Sequence, residues 1–319
     1  MNLLTINTII EYTKDRLQLS TSNLSLVALV LIEKMKCFGL KQFHKQGLPC
    51  SRFRNYSTLL NENSSERKPI SLYFHWPFCQ SICSYCDFNR YKRDANSIAN
   101  LKDPNAIGSQ MMKTYMRVLD DLETTSLPAL SNKQSIVDEY ELVSIFFGGG
   151  TPSTMNPKLM EQLIGKSLEM FKGRDVEISM EANPTSIEME KMRDFHSAGV
   201  NRVSVGVQSF DPECLKTLGR EHSVGEALNA INTAKNIFNN RVSIDLMFGL
   251  PQHKQKPDLW KTSLQQALSL DMNHISLYQL TIEKGTKFQR LFNIERDLPN
   301  EEESSYLYDY TIDVGSIML

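Results

Sequence analysis

Three cysteines, Cys79, Cys83 and Cys86, follow one another as Cys-x3-Cys-x2-Cys. Thiolates at this spacing are soft ligands that hold zinc or iron–sulfur centres. A structural zinc site or an ordinary iron–sulfur cluster takes four protein ligands. Three leave one coordination position for something that is not protein. Gln80, Ser81 and Ser84 interrupt the run, so it does not read as a core strand of buried thiols. Two metal readings stand. One is zinc completed by His75 or Asp87. The other, which the odd cysteine count favours, is a [4Fe–4S] cluster with one iron open to an exchangeable ligand.

Further residues with chemical capacity lie downstream. Gly148-Gly-Gly-Thr-Pro-Ser153 permits close backbone approach to a ligand at Gly149 and Gly150. It is not a phosphate-binding Walker loop, because no Gly-Lys-Ser/Thr follows. Thr151 can donate or accept a hydrogen bond. Glu181 opens Glu181-Ala-Asn-Pro184, Gln208 opens Gln208-Ser-Phe210, and Asp245 precedes Gly249-Leu-Pro251. Alone, each reads as a cap or a surface residue. Arg220, in Leu218-Gly-Arg-Glu221, alone reads as a solvated helix residue. Cys214 reads as a structural cysteine. His75, beside Trp76-Pro77, either orders the cysteine loop or packs in the core.

These residues fall at the ends of predicted strands. Short β-branched or aromatic runs predict strands at 72–76, 142–147, 176–181, 202–207, 242–247 and 274–280. Helical patterns at 106–122, 158–171, 187–197, 225–238 and 259–270 separate them. Alternating strands and helices imply an α/β fold with a parallel sheet. Six units suggest a partial (β/α)6 barrel, with an open doubly wound sheet as runner-up. In such barrels the active site forms at the C-terminal ends of the strands. Five strand ends carrying special residues are hard to explain by packing alone. A last helix is expected over 301–313, with Tyr306, Leu307 and Tyr310 on one face.

Composition bounds the partners. The 319 residues are 41% hydrophobic and 23% charged, with a net charge of -2. That is ordinary globular composition and does not point to nucleic acid. The six cysteines do not form a disulfide framework in a chain this long, which suggests a reducing compartment. Leu24–Ile32 is too short to span a bilayer. Residues 1–69 read as a partly helical or unstructured extension. From Lys34 to Leu60 the chain carries Lys and Arg but no Asp or Glu, the composition of a mitochondrial presequence at about 35–57. The expected mature start is near Ser57, with residues 1–34 from an upstream start; the alternative is a basic linker.

Taken together, the motifs resemble the radical S-adenosylmethionine (radical SAM) superfamily. Cys-x3-Cys-x2-Cys is its signature, with Tyr85 as the aromatic before the last cysteine. More narrowly, Tyr73-x-His-x-Pro-Phe-Cys79, Gly148-Gly-Gly-Thr-Pro152, Glu181-Ala-Asn-Pro184, Gly206-Val-Gln-Ser209 and Ile244-Asp-Leu-Met-Phe-Gly-Leu-Pro251 resemble the family of oxygen-independent coproporphyrinogen oxidase and the related heme chaperones. The likeness covers about residues 70–315. It implies that Cys79, Cys83 and Cys86 hold a [4Fe–4S] cluster whose fourth iron is chelated by SAM. It further implies that Tyr73, Gly149 and Glu181 contact this SAM. Gly150, Thr151, Gln208, Arg220 and Asp245 match positions that contact a second SAM in the oxidase.

Two departures bear on function. The oxidase places a fourth cysteine two residues after the third, where this chain has Phe88; phenylalanine resembles the chaperone branch and its mitochondrial animal counterpart. The His-Asn-x-x-Tyr-Trp motif associated with heme, and most of the family's C-terminal domain, do not occur in this sequence. The expected layout is a barrel over 70–295 and the start of a C-terminal region over 296–319. The expected function is a mitochondrial heme chaperone that binds one cluster and SAM, takes heme as a further ligand and passes it to hemoproteins. The alternatives are a radical SAM oxidoreductase acting on a porphyrinogen, or an inactive shortened chain.

Overall fold

A computed structural model describes residues 29–33, 67–92, 106–124 and 136–318. Residues 1–28 and the expected presequence at about 35–57 lie outside the described residues. Six parallel strands follow one another in chain order across a single sheet. They are β2 (Lys68–Trp76), β3 (Tyr140–Gly149), β4 (Glu177–Ala182), β5 (Arg202–Gln208), β6 (Val242–Phe248) and β7 (His274–Gln279). Helices fill each crossover. The strand order never reverses, so there is no switch point of the doubly wound kind. Parallel strands advancing always in one direction curl into a half-barrel, as expected from the six repeated units.

The strand upstream of these was not anticipated. Leu29–Glu33 forms β1, an antiparallel edge strand on β2, where the sequence suggested a helical or unstructured extension. Its apolar run Leu-Val-Leu-Ile suits an extended edge as well as a helix, and such short runs do not separate the two.

Each strand alternates between two environments. Leu72, Phe74, Ile145, Phe147, Ile178, Met180, Val203, Val205, Ile244 and Leu246 are buried in the layer between sheet and helices. Burying each such side chain contributes about 1.5–3 kcal/mol. The intervening residues face the barrel interior and are largely polar. Ser71 lies beside Ser144, Glu181 beside Ser204, and Asp245 beside Ser276. Hydroxyls link this inner layer, with Ser144 to Ser71 at 2.7 Å and Ser243 to Ser204 at 2.8 Å.

Local signals explain the helix boundaries. Helix Pro157–Met170 starts with proline at its first turn and Asn156 accepting from the Lys158 N–H at 3.0 Å. Helix Val224–Ile237 carries a Ser223/Glu226 capping box. The helix expected over 187–197 is instead two, Ser186–Glu190 and Met192–Ser197, joined at Lys191. Glu188 on the first is buried, turned towards β4 and the glycine loop rather than solvent.

The last helix, Glu301–Met318, packs back onto helix Asp258–Ser269. Leu307 is buried, and Tyr310 and Val314 join it against the core. Tyr306 is not on that face, as the sequence suggested, but exposed with Lys261 over its ring at 5.2 Å. The inward set 307, 310, 311 and 314 is the regular helical stripe. The Trp260 indole N–H donates to Thr311 Oγ1 at 2.9 Å, and both residues are buried. Thr311→Val keeps the shape but strands that N–H. The expected loss is about 1–3 kcal/mol of stability in urea unfolding; a change below a few tenths of a kcal/mol would show that Thr311 does not anchor the helix.

Candidate functional site

The cysteine loop leaves the C-terminal end of β2. Phe78–Cys79 pairs in parallel with Tyr91–Lys92, closing residues 79–91 into one loop. His75 ties its far end: Nε2 bonds the Asn89 carbonyl at 2.8 Å, and Nδ1 faces the Tyr73 hydroxyl at 3.1 Å. Burial keeps the imidazole below its usual range, therefore neutral, with Nε2 donating and Nδ1 accepting. The Tyr115 hydroxyl caps the His75 carbonyl. His75 thus orders the loop, and neither ring nitrogen is left to complete a zinc site.

The glycine turn after β3 holds the loop from its other side. The Gly150 N–H donates to Trp76 O at 2.6 Å and the Thr151 N–H to Phe78 O at 2.9 Å. A Cβ at Gly150 would lie 2.9 Å from the backbone of Trp76, Pro77 and Phe78. Gly150 is therefore required by the cysteine loop itself. Gly149 sits at φ +111°, and a Cβ there would meet the His75 ring at 2.6 Å. Its N–H points at Glu181 Oε2, 3.2 Å away.

Cys79 is buried, and Cys83 and Cys86 are half-buried, all three as free thiols. They sense one another: the charges of Cys83 and Cys79 add to burial in pushing Cys86 up to about 12. Burial pushes the Cys79 thiol up, opposed by the neighbouring Thr151 and by the charges of Arg90 and Arg220. Arg220 Nη1 donates to Cys83 Sγ at 3.3 Å. Arg90 adds a second guanidinium near Cys79 and Cys86, and its Nε is buried without a partner. Among the described residues no three His, Cys, Asp or Glu side chains are grouped to hold a metal ion. A mononuclear zinc site needs all its ligands at about 2.0–2.3 Å from one point. Three mutually interacting thiols flanked by two guanidiniums have the softness and the surrounding charge to hold an anionic iron–sulfur cluster.

The interior beyond the loop is acidic. Glu181 ends β4 and Asp245 lies on β6, two strands away. Burial first, then the charge of Asp245, push the Glu181 carboxyl up to about 8 against the pull of the Gly149 N–H. Burial raises Asp245 too, opposed by hydroxyls of Ser204 (3.0 Å) and Ser276. A carboxyl raised above its unfolded value favours the fold at low pH and loses that contribution as pH rises through 8. Two carboxyls held out of water are favoured in their neutral form unless a cation lies beside them. Gln208 closes β5 at φ +67°, beside a register shift in the β5–β6 ladder. Such backbone strain in a residue other than glycine concentrates at functional sites.

Arg220 corrects an expectation. It lies past the end of helix Pro212–Leu218, after the left-handed Gly219, and is half-buried rather than solvated on a helix. Besides Cys83, it donates to Asn183 Oδ1 at 2.7 Å and Gly206 O at 2.8 Å. Cys214 is fully buried among Leu218, Met247, Leu250 and Phe288. Asn183, Glu188 and Arg90 were not singled out from sequence. The signal was present, since Asn183 sits inside the Glu-Ala-Asn-Pro run and Arg90 directly follows the cysteine segment.

Gly150→Ala should drive the glycine turn away from the cysteine loop. The expected cost is about 1–3 kcal/mol in urea unfolding, with faster labelling of the buried Cys79 thiol in the metal-free protein. Labelling and unfolding equal to wild type would show the turn to be slack.

Comparisons with known proteins give the family. Residues 73–257 match the family description "Radical SAM superfamily". Over 240 residues the chain is 36% identical to "Radical S-adenosyl methionine domain-containing protein 1, mitochondrial" of Danio rerio, spanning 75% of this chain and 49% of that one. It is 38% identical over 221 residues to "Heme chaperone HemW" of Escherichia coli (strain K12), spanning 69% and 53%. The chain thus spans about half the length of these curated relatives. Among solved structures, the radical SAM enzyme coproporphyrinogen III oxidase (HemN) of Escherichia coli aligns with TM-score 0.61 and 25% identity, over 79% of this chain and 53% of that one. The cysteine loop, the glycine turn and the acidic strand ends all fall in or beside the matched segment, and the chain belongs to the radical SAM superfamily.

Proposed function

We propose that this protein binds a [4Fe–4S] cluster and SAM in the half-barrel and serves as a mitochondrial heme chaperone. One observation carries the ligand reading. A three-cysteine loop flanked by Arg90 and Arg220 opens onto an interior where Glu181 and Asp245 hold desolvated carboxyls. Cys79, Cys83 and Cys86 would hold the cluster. When bound, a reduced cluster supplies the electron with which radical SAM enzymes cleave SAM. Glu181 and Asp245 offer charge to an ammonium or sulfonium, and Tyr73, Gly149, Gly150, Thr151, Gln208 and Arg220 are the further candidate SAM contacts. The Gly150 and Thr151 N–H groups already serve the cysteine loop, so the glycine turn would meet a ligand through its surface rather than through these donors.

Heme transfer to recipient hemoproteins rests on the relatives. The bacterial relative is named a heme chaperone, and the animal relative is named mitochondrial. Among the described residues no helix is long and apolar enough to cross a membrane. A second reading, a radical SAM oxidoreductase acting on a porphyrinogen, draws on the likeness to the oxidase structure. Phe88, at the position of the oxidase's fourth cysteine, favours the chaperone.

The test is anaerobic reconstitution followed by heme and SAM titration. Wild type should take up iron and sulfide and show a Soret band with heme, and Cys83→Ser should lose the cluster absorbance. Sustained conversion of coproporphyrinogen would favour the enzyme instead. Uptake of zinc without iron and sulfide would sink the cluster reading. SAM affinity should rise with pH up to about 8, by at most about tenfold per unit, because the cation needs Glu181 ionised. Glu181→Gln should flatten that slope in calorimetry at pH 6–9. A pH-independent wild type would remove Glu181 from the SAM contacts.

A further inference from the structure

Glu188 is buried at 3% exposure on the short helix after β4, and no expected ligand contact uses it. Its carboxylate accepts three hydrogen bonds. Ser153 Oγ and the Asn183 N–H (2.8 Å) donate to Oε2, and Asn183 Nδ2 donates to Oε1 at 3.3 Å. Burying a carboxylate is costly unless its hydrogen bonds are made, and here they fix a single orientation of the Asn183 amide. With Nδ2 turned to Glu188, Oδ1 must face Arg220, which donates to it at 2.7 Å. Arg220 then places Nη1 on Cys83 Sγ. The same Nδ2 lies 3.4 Å from Thr151 Oγ1.

We propose that Glu188 is a positioning residue for the metal centre: through Asn183 it aims Arg220 at Cys83. The proposal rests on the cluster reading. Glu188 does not touch a cysteine. It sets the direction of donors one residue removed from it, in the manner of outer-shell partners that orient metal ligands. Ser153 belongs to the same relay, since its hydroxyl holds the carboxylate from the glycine-turn side.

Glu188→Gln tests the direction of the amide. The introduced glutamine would bring its NH2 against Asn183 Nδ2, donor against donor. If Asn183 flips to relieve this, its NH2 faces the Arg220 guanidinium. Either way Arg220 loses its fixed aim. Reconstituted E188Q should lose its cluster to a chelator about tenfold faster than wild type, with altered EPR g-values of the reduced cluster. The double variant N183D/E188Q restores the match, because its new carboxylate accepts from both the glutamine NH2 and Arg220. It should return chelator resistance and g-values most of the way to wild type, which a merely structural role of Glu188 would not require. If E188Q does not fold, Ser153→Ala is measured in its place, with a smaller change in the same direction. Wild-type cluster retention and spectrum in folded E188Q, or in S153A when E188Q fails to fold, would overturn the relay while leaving the cluster reading intact. No rescue by the double variant would also overturn it. A wild type that takes up no cluster would overturn both readings.

Discussion

Two backbone hydrogen bonds, from the Gly150 and Thr151 N–H groups to the carbonyls of Trp76 and Phe78, extend the β2–β3 pairing beyond the strands themselves. They make the cysteine loop a continuation of the sheet rather than a free excursion from it. The contact works because residue 150 has no side chain: three backbone atoms stand where its Cβ would be. Everything metal-directed depends on this closeness. Cys79 directly follows Phe78, whose carbonyl the Thr151 N–H holds. A glycine that looks like a ligand cradle is first a joint between two strand ends.

The sheet adds a second constraint by sorting its faces. Apolar residues on one face of β2–β6 anchor the helices, and serines, Glu181 and Asp245 on the other keep the interior polar. Such an interior stabilises the fold less than an apolar one would, because buried carboxyls must be raised or compensated. The raised Glu181 and Asp245 show that compensation within the chain is incomplete. Function is where folds tolerate such a deficit.

Much of this was legible in the sequence, for physical reasons that differ by residue. The six strands and their order follow from runs whose period and length leave little ambiguity, and β5 and β6 begin where expected, at Arg202 and Val242. The cysteine spacing carried its own chemistry. The edge strand β1 did not show itself, because a lone apolar run takes its conformation from the neighbour it pairs with. Nor did the break at Lys191, since apolar periodicity continues through it, or the burial of Glu188, whose partners Ser153 and Asn183 are brought to it by the fold. Arg220 entered the site only through the motif resemblance, because local composition, which alone reads as solvated, cannot reveal that Gly219 turns the chain back towards Cys83.

That residue also shows why scaffold and ligand roles resist separation by motif. Three of the five N–H donors of Arg220 serve Cys83, Asn183 and Gly206. The remaining donors are free in principle to meet a ligand carboxylate without releasing the thiol. Glu181 and Asn183, two residues apart, belong to one short run, yet Glu181 faces the interior beside Ser204 while Asn183 is spent on Arg220, Thr151 and Glu188. The same run of sequence thus builds the cavity with one side chain and braces the metal loop with the other. Its two polar residues do different work: one sets the polarity of the interior, the other the aim of a guanidinium it already holds.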